Sequence, residues 1–277
     1  MIPILLYHKV INFDISGTWV TPLQFEQQMR YLYENGYTTI TPYELISKGA
    51  SEGSHLPSRL TTHDSQPTTH NPQLLITFDD GYVGFYEKAL PTLLKYGFRA
   101  TIFVVTGYIG KENKWDVRFG TKERHLNLKE LQELKNMGFV IGSHTRTHPD
   151  LTQIPIYKAR EEILNSKSEL EDKLGEPVHF LSYPFGRYNK QVLKLAEESG
   201  YKISFTSNPF TTHDSHLTIK VLGRMGVYII DRLADFKAKL YNGIPHTVEA
   251  KKCQLINFFS RGTWMWKTLN PFSKSCI

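Results

Sequence analysis

The run Leu74-Leu75-Ile76-Thr77-Phe78-Asp79-Asp80-Gly81-Tyr82 puts two adjacent carboxylates at the end of an apolar, strand-like segment. A His-x-x-x-His pair, His144 and His148, follows a second apolar run, Phe139-Val140-Ile141. Successive side chains leaving a strand point to opposite sides, so Asp79 and Asp80 need not compete for one ion. One carboxylate can bind metal while its neighbour handles protons. A carboxylate with two imidazoles is a common three-ligand set for a divalent catalytic metal and leaves positions open for water and substrate. The histidine spacing puts both imidazoles on one face if the chain turns helically after Ile141, with Gly142 and Ser143 supplying the turn. Asp-Asp-Gly on its own is frequent in solvated surface turns. What raises both motifs above that background is their place after short apolar runs, where ligands sit at the carboxyl ends of strands in α/β proteins.

The elements that must position these groups are legible as an alternation. Ile4 to Tyr7 reads as a first strand. Thr21 can cap and Pro22 can begin a helix in which Phe25, Met29, Leu32 and Tyr33 repeat at helical spacing up to Gly36. Tyr37 to Ile40 reads as a strand, and Thr41-Pro42 opens a short helix through Ile46. Residues 48 to 73 are rich in Ser, Thr, His, Pro and Gly, as expected for a mobile surface insertion. Beyond the Asp pair the pattern predicts a helix over Phe85 to Tyr96, a buried strand over Ala100 to Val105 and a helix over Leu128 to Met137 closed by Gly138. A long amphipathic helix over Ile156 to Leu174 stops at Gly175. A strand over Phe180 to Tyr183, a helix over Gln191 to Ser199 and a strand over Ile203 to Thr206 follow. Repeated βα units argue for a barrel or an open parallel sheet.

At these residues the chain resembles the polysaccharide deacetylase family, the NodB-homology or carbohydrate esterase family 4 proteins. Thr77 to Tyr82 fits the family's first motif, Ser143-His144-Thr145-Arg146-Thr147-His148-Pro149 its second, and Ser182-Tyr183-Pro184-Phe185-Gly186 a variant of its third. The similarity of layout runs from Pro3 to about Val227. The opening Pro3-Ile4-Leu5-Leu6-Tyr7-His8 is similar to a bacterial branch that includes poly-N-acetylglucosamine deacetylases, in which a catalytic motif is permuted to the N-terminus. The resemblance implies a distorted (β/α) barrel, often of seven strands, and a catalytic domain over residues 1–232.

It also implies a reaction, hydrolysis of an N-acetyl group on an amino sugar in a polysaccharide or cell-envelope glycan. Asp80, His144 and His148 would hold the metal, zinc first, with manganese, cobalt or nickel as alternatives. Asp79 would be general base and the Phe185 backbone N–H an oxyanion donor; the Phe185 and Tyr183 side chains would line the acetyl pocket. His8 is the candidate general acid, since imidazole titrates near neutral pH; the alternative is a hydrogen-bonded histidine at the barrel mouth. Two departures from the family pattern stand out. Ser182 occupies the place where the third motif usually begins with Arg, and the late Leu-x-His motif is missing in recognisable form. Arg224 in Leu222-Gly223-Arg224-Met225-Gly226 is a candidate to supply the missing charge from another strand or to face substrate, with a plain surface salt bridge as the alternative.

Composition agrees with an enzyme without naming one. The chain has 277 residues, 40% of them apolar and 22% charged, enough for one large α/β domain with a substantial core. The net charge of +6 is spread among acids, which favours a solvated surface over a nucleic-acid groove. Cys253 and Cys276 lie outside the proposed site. No stretch reaches the apolar length of a spanning helix and Met1 to Tyr7 lacks the features of a signal peptide, so the chain reads as cytoplasmic as it stands, with an exported or envelope-associated form left open. Residues 233–277 form a C-terminal helix, over Leu233 to Tyr241, and a basic aromatic tail suited to packing on the barrel, to another subunit or to peripheral membrane contact. Thr61 to Gln66 and Thr211 to His216 share Thr-Thr-His-Asp-Ser, whose His63 and His213 read as polar loop residues, and Trp115 is a candidate sugar contact. Two other functional classes fit: a metal-dependent amidohydrolase of a small non-sugar amide, and a non-catalytic carbohydrate-binding protein.

Overall fold

The apolar runs become the staves of a parallel sheet, and the helical repeats between them pack outside it. The computed structural model describes residues 2–14, 18–51, 71–113, 123–209, 211 and 218–240. Trp115, His63, His213, both cysteines and the tail beyond residue 240 lie outside the described residues.

In chain order the elements are β1 (Ile4–Tyr7), β2 (Lys9–Val10), β3 (Trp19–Val20), α1 (Pro22–Glu34), β4 (Thr38–Thr39), α2 (Pro42–Ser51), β5 (Gln73–Phe78), α3 (Leu90–Lys95), β6 (Thr101–Val104), α4 (Leu128–Asn136), β7 (Val140–Ser143), α5 (Ile156–Leu174), β8 (Phe180–Ser182), α6 (Lys190–Glu198), β9 (Ile203–Thr206), β10 (Lys220–Gly223), β11 (Met225–Gly226) and α7 (Leu233–Leu240). Local chemistry sets several of the boundaries. Thr21 and Gln24 form a reciprocal capping box at the start of α1, with Pro22 in its first turn. Asn127 and Glu130 do the same for α4. Gly175 ends α5 in the left-handed conformation the sequence assigns to it.

Two expectations need correction. Phe85 to Tyr96 is not one α-helix: residues Phe85–Ala89 form a π-helical turn that leads into α3. Pro91 has no N–H for Glu87 and its ring would crowd that carbonyl, so the turn widens just before it. The helix opened by Thr41-Pro42 continues past Ile46 to Ser51, so it enters the segment read as an insertion.

The sheet follows the path β10-β9-β8-β7-β6-β5-β1-β11, with β4 added beside β5. Every pairing along it is parallel. Only Arg224 separates β10 from β11, so the eight segments of the path are seven passes of the chain. The last pass pairs with β9 at its start and with β1 at its end, bringing the sheet back to its first strand. This agrees with the distorted (β/α) barrel.

The core has two layers. Ile4, Leu75, Phe103, Phe180, Ile203 and Phe205 come from β1, β5, β6, β8 and β9 and converge in one cluster with Ile40, which is the filling of the barrel. A larger cluster joins the opposite strand faces, through residues such as Leu5, Tyr7, Ile76, Phe78, Leu181 and Tyr183, to the helices outside. Burial of both faces explains why the strands read as continuous apolar runs. α7 belongs to the outer layer, where Phe236 is buried and Lys239 donates to Asp231 at 2.9 Å. No helix among the described residues is long and apolar enough to cross a membrane.

Candidate functional site

The two-residue period of β5 carries Leu75, Thr77 and Asp79 into the barrel, above the apolar filling. The N–H of Asp79 donates to Tyr7 O at 2.9 Å and continues the ladder between β1 and β5. At Asp80 the chain leaves the sheet with φ 70°, a left-handed conformation that non-glycine residues seldom adopt. The carboxylates therefore diverge as expected; His144 Nε2 stands between them, 3.9 Å from Asp79 Oδ2 and 3.5 Å from Asp80 Oδ1, and their other partners differ.

Asp79 is clamped. The Arg224 guanidinium donates from Nη1 to Oδ1 and from Nη2 to Oδ2, each at 2.7 Å, and the Ser182 hydroxyl adds a bond to Oδ2 at 3.0 Å. Arg224 also donates to Ser182 Oγ at 2.8 Å and to Thr77 Oγ1 at 3.2 Å. It lies over the rings of Phe103 and Phe205, 5.5 and 5.7 Å from their centroids. Burial alone would push the Asp79 carboxyl up, but the guanidinium, with His144, holds it well below the usual carboxylate range. The surface salt bridge offered as an alternative is ruled out, because the Arg224 side chain is fully enclosed. The same enclosure keeps Arg224 from facing substrate. Its contacts are those of a residue that orients Asp79.

Asp80 meets the histidines. Its Oδ1 lies 3.5 Å from His144 Nε2 and 3.4 Å from His148 Nε2. One ligand atom from each of the three residues falls within 4.8 Å of the others. The expected helical turn between the histidines is absent. Thr145 and His148 both have positive φ, 66° and 62°, and an irregular loop brings the imidazoles together instead. His144 Nδ1 lies 2.7 Å from the Ser182 carbonyl, which can only accept, so Nδ1 carries the proton and Nε2 turns a lone pair toward Asp80. Burial lowers the pKa of His144, which keeps the ring neutral. A lone pair and a carboxylate facing each other at this distance repel unless a cation lies between them. The donor set thus fits a divalent metal, with the Ser182 carbonyl fixing the tautomer of one ligand.

The remaining candidates divide. His8 follows β1 on the inward side, since Tyr7 points outward and stacks on Phe78. It is half-buried, and its pKa is lowered to about 4: burial is the largest cause, Asp79 pulls the other way, and Arg224, His144 and Lys9 each add to the lowering. Phe185 sits in a short 3-10 turn with φ 58°, its ring 4.8 Å from that of His148. Tyr183 is not brought to the site. Strand alternation turns Ser182 inward and Tyr183 outward, where it is fully buried in the sheet–helix layer and stacks on Tyr188.

Asp80, Thr145, His148 and Phe185 are the non-glycine residues with positive φ among the described residues, and all four lie on the three motif loops. Each such conformation costs on the order of 1–3 kcal/mol and persists only where its surroundings enforce it. One enforcing group escaped the sequence reading. His125, buried between β6 and α4, donates from Nδ1 to the Asp80 carbonyl at 2.8 Å. An isolated histidine carries no spacing signal. The roles of Ser182 and Thr77 in the clamp were equally invisible, although both residues lie within the motifs.

Known proteins resemble this chain in sequence and fold. The chain is 34% identical over 208 residues to YxkH of Bacillus subtilis (strain 168), a protein assigned provisionally to the polysaccharide deacetylases; the match covers 75% of this chain and 65% of that one. It is 26% identical over 202 residues to the poly-beta-1,6-N-acetyl-D-glucosamine N-deacetylase of Staphylococcus aureus (strain MRSA252), covering 70% of this chain and 62% of the relative. The chain thus spans less than two thirds of the length of these curated relatives. The solved structure of the Streptococcus pyogenes deacetylase PplD in complex with acetate superimposes with a TM-score of 0.66 at 27% identity, covering 86% of this chain and 97% of that one. The polysaccharide deacetylase family model matches residues 66–204, half of the chain and the stretch that carries Asp79, Asp80, both histidines and Ser182 to Gly186. The chain belongs to the polysaccharide deacetylase family.

Proposed function

We propose that the protein is a metal-dependent hydrolase that removes N-acetyl groups from an N-acetylglucosamine-containing polysaccharide or cell-envelope glycan. The observation that carries this reading is the pairing of two adjacent carboxylates with separate surroundings: Asp80 with two imidazoles within 4.8 Å, and Asp79 held ionised by a buried arginine. Naming the sugar rests on kinship with the staphylococcal poly-N-acetylglucosamine deacetylase, and naming the acetyl group is supported by PplD, whose solved complex holds acetate.

An amide resists water because its carbonyl is weakly electrophilic and its amine leaves poorly. Asp80, His144 and His148 would hold the metal, which when bound polarises a carbonyl and lowers the pKa of water. Zinc fits two nitrogens and one oxygen; manganese, cobalt and nickel accept the same set. Asp79 takes the proton from the attacking water. Its ionised state is secured by Arg224, whose fork also fixes the direction in which the carboxylate accepts. The Phe185 backbone N–H is assigned to the oxyanion, and its ring borders the acetyl group. His8 delivers a proton to the departing amine. With a pKa of about 4 its ring is neutral at pH 7, so the proton it delivers is the one Asp79 takes from water, passed to the imidazole during turnover rather than stored beforehand.

The direct test is acetate release from β-linked N-acetylglucosamine oligomers by metal-stripped protein, with and without added zinc. Release restored by zinc supports the reading. Release from simple acetamides but not from the oligomers would replace it with a small-amide hydrolase, and glycan binding without release would replace it with a carbohydrate-binding protein.

A further inference from the structure

The loop between the two histidines has a partner for each of its amide donors. His144 N donates to Val104 O at 2.9 Å, Thr145 N to Ser143 Oγ at 3.2 Å and His148 N to Thr145 Oγ1 at 3.1 Å. The two amides in between share one acceptor. Arg146 N and Thr147 N donate to Oε2 of Glu162 at 2.9 and 2.8 Å, and the Thr147 hydroxyl donates to Oε1 of the same carboxylate at 2.6 Å. Glu162 stands on α5, in the helical layer outside the barrel, and belongs to none of the three motifs.

We propose that Glu162 is a positioning residue of the metal site, whose carboxylate holds the loop in the shape that brings His144 and His148 to Asp80. This rests on the metal reading of those three residues. Thr145 and His148, the two left-handed residues, bracket the pair of amides that Glu162 binds. Strain of that kind persists only where neighbouring contacts over-determine it. Two successive amides aimed at one carboxylate oxygen supply such a contact, because turning either residue away would break a charge-assisted bond.

The grip extends beyond one residue. Glu169 lies two helical turns along α5 on the same face, where it accepts from Arg146 Nε at 2.9 Å and from Thr106 Oγ1 at 2.5 Å. On the far side of the loop, Thr106 N donates to Thr145 O at 3.1 Å and Gly107 N to Arg146 O at 2.8 Å. A β-carbon at residue 107 would stand 2.6 Å from that Arg146 oxygen, so the close approach needs glycine. α5 is a firm base for the clamp. Its Ile163 and Ser166 are fully buried, and Ser166 Oγ lies 2.8 Å from Ser143 Oγ, immediately before the first histidine.

The test is a titration of the full-length, metal-stripped protein with Co(II), read by visible absorption, and with Zn(II) by competition against a chelating dye. Removing an outer-shell partner of this kind typically weakens metal binding about 10- to 100-fold. Glu162→Ala is expected to fall in that range and to show altered Co(II) bands. Glu162→Gln keeps an oxygen for the amides and is expected to restore affinity to within about threefold of the native protein, and Glu161→Ala, on an exposed neighbour, is expected to match it. Glu162→Asp, too short to reach the amides, carries the test if the alanine variant does not fold. Native affinity in Glu162→Ala or Glu162→Asp, or failure of Glu162→Gln to restore it, overturns the proposal. Absence of Co(II) and Zn(II) binding by the native protein overturns the metal reading itself, which separates the two failures.

Discussion

Arg224 and Asp79 meet through two parallel hydrogen bonds of 2.7 Å although 145 residues of chain separate them. The meeting depends on barrel closure. Arg224 interrupts the last pass of the sheet at the point where its pairing changes from β9 to β1, and strand alternation from the inward Leu222 carries its side chain into the interior beside the end of β5. Ser182 makes the approach possible, since its small side chain accepts from the guanidinium and donates to the carboxylate.

Arg224→Met is therefore expected to do more than remove a charge. It leaves a buried carboxylate without its cation, a change that costs about 3–5 kcal/mol in folding stability. Burial then acts on Asp79 unopposed by the guanidinium and raises its pKa, which weakens the hold on the ionised base. Arg224→Lys keeps charge but cannot form the fork, so it should recover only part of the loss. Urea denaturation and acetate release measure the two effects, and wild-type behaviour of Arg224→Met in both would sink the clamp.

The neighbouring carboxylates should separate by phenotype. Asp80→Asn is expected to lose Zn(II) affinity and turnover together. Asp79→Asn should keep Zn(II) affinity and lose about 100-fold or more in turnover, the usual contribution of a positioned general base. Equal loss of metal affinity in both variants would show that the roles are shared rather than divided.

Much of this was written in the sequence, and the parts that were not have physical reasons. Thr21-Pro22, Gly175 and the strand Ile203–Thr206 are local signals, and the structure keeps them. The loop from His144 to His148 is not local: a spacing of four reads the same in a helix and in a loop, and what selects the loop is a set of contacts from other elements. Tyr183 is different again. Strict alternation from Ser182 would have turned it outward, but the motif resemblance drew it to the acetyl pocket. Arg224 was legible only as a charge beside a strand, because its partner is decided by how the barrel closes.

His8 gives a pH signature that needs no substrate. Its folded pKa of about 4 lies below the ordinary histidine value of about 6.5, so the unfolded chain binds a proton through that interval and the folded chain does not. Stability of the metal-free protein should therefore rise with pH between about 4 and 6.5 and be lost as pH falls through the same window. Burial lowers the His144 pKa in the same direction, so the slope has two contributors. His8→Asn should flatten it in part while keeping Zn(II) affinity, as followed by urea denaturation at a series of pH values. An unchanged slope would contradict the neutral state of His8 in the folded chain, and loss of Zn(II) affinity in His8→Ala would remove His8 from the acid role.

The exchange of Arg between strands can be tested by moving it back. Ser182→Arg alone puts a second guanidinium beside one carboxylate in a buried space already filled by Arg224, an uncompensated charge that should destabilise the fold by about 3–5 kcal/mol. Arg224→Ser alone strands Asp79. The double variant restores one guanidinium and one small hydroxyl to the same carboxylate, with the strands of origin reversed. Residues sharing a network couple by roughly 0.5–3 kcal/mol, and here the coupling should be favourable and lie toward the upper end, about 2 kcal/mol, because each single change leaves a charge unmatched. Denaturation of all four proteins closes the cycle. A double variant no more stable than the sum of the two single losses would mean that the approach of Arg224 along β10 and β11, rather than the presence of one arginine at Asp79, is what the site requires.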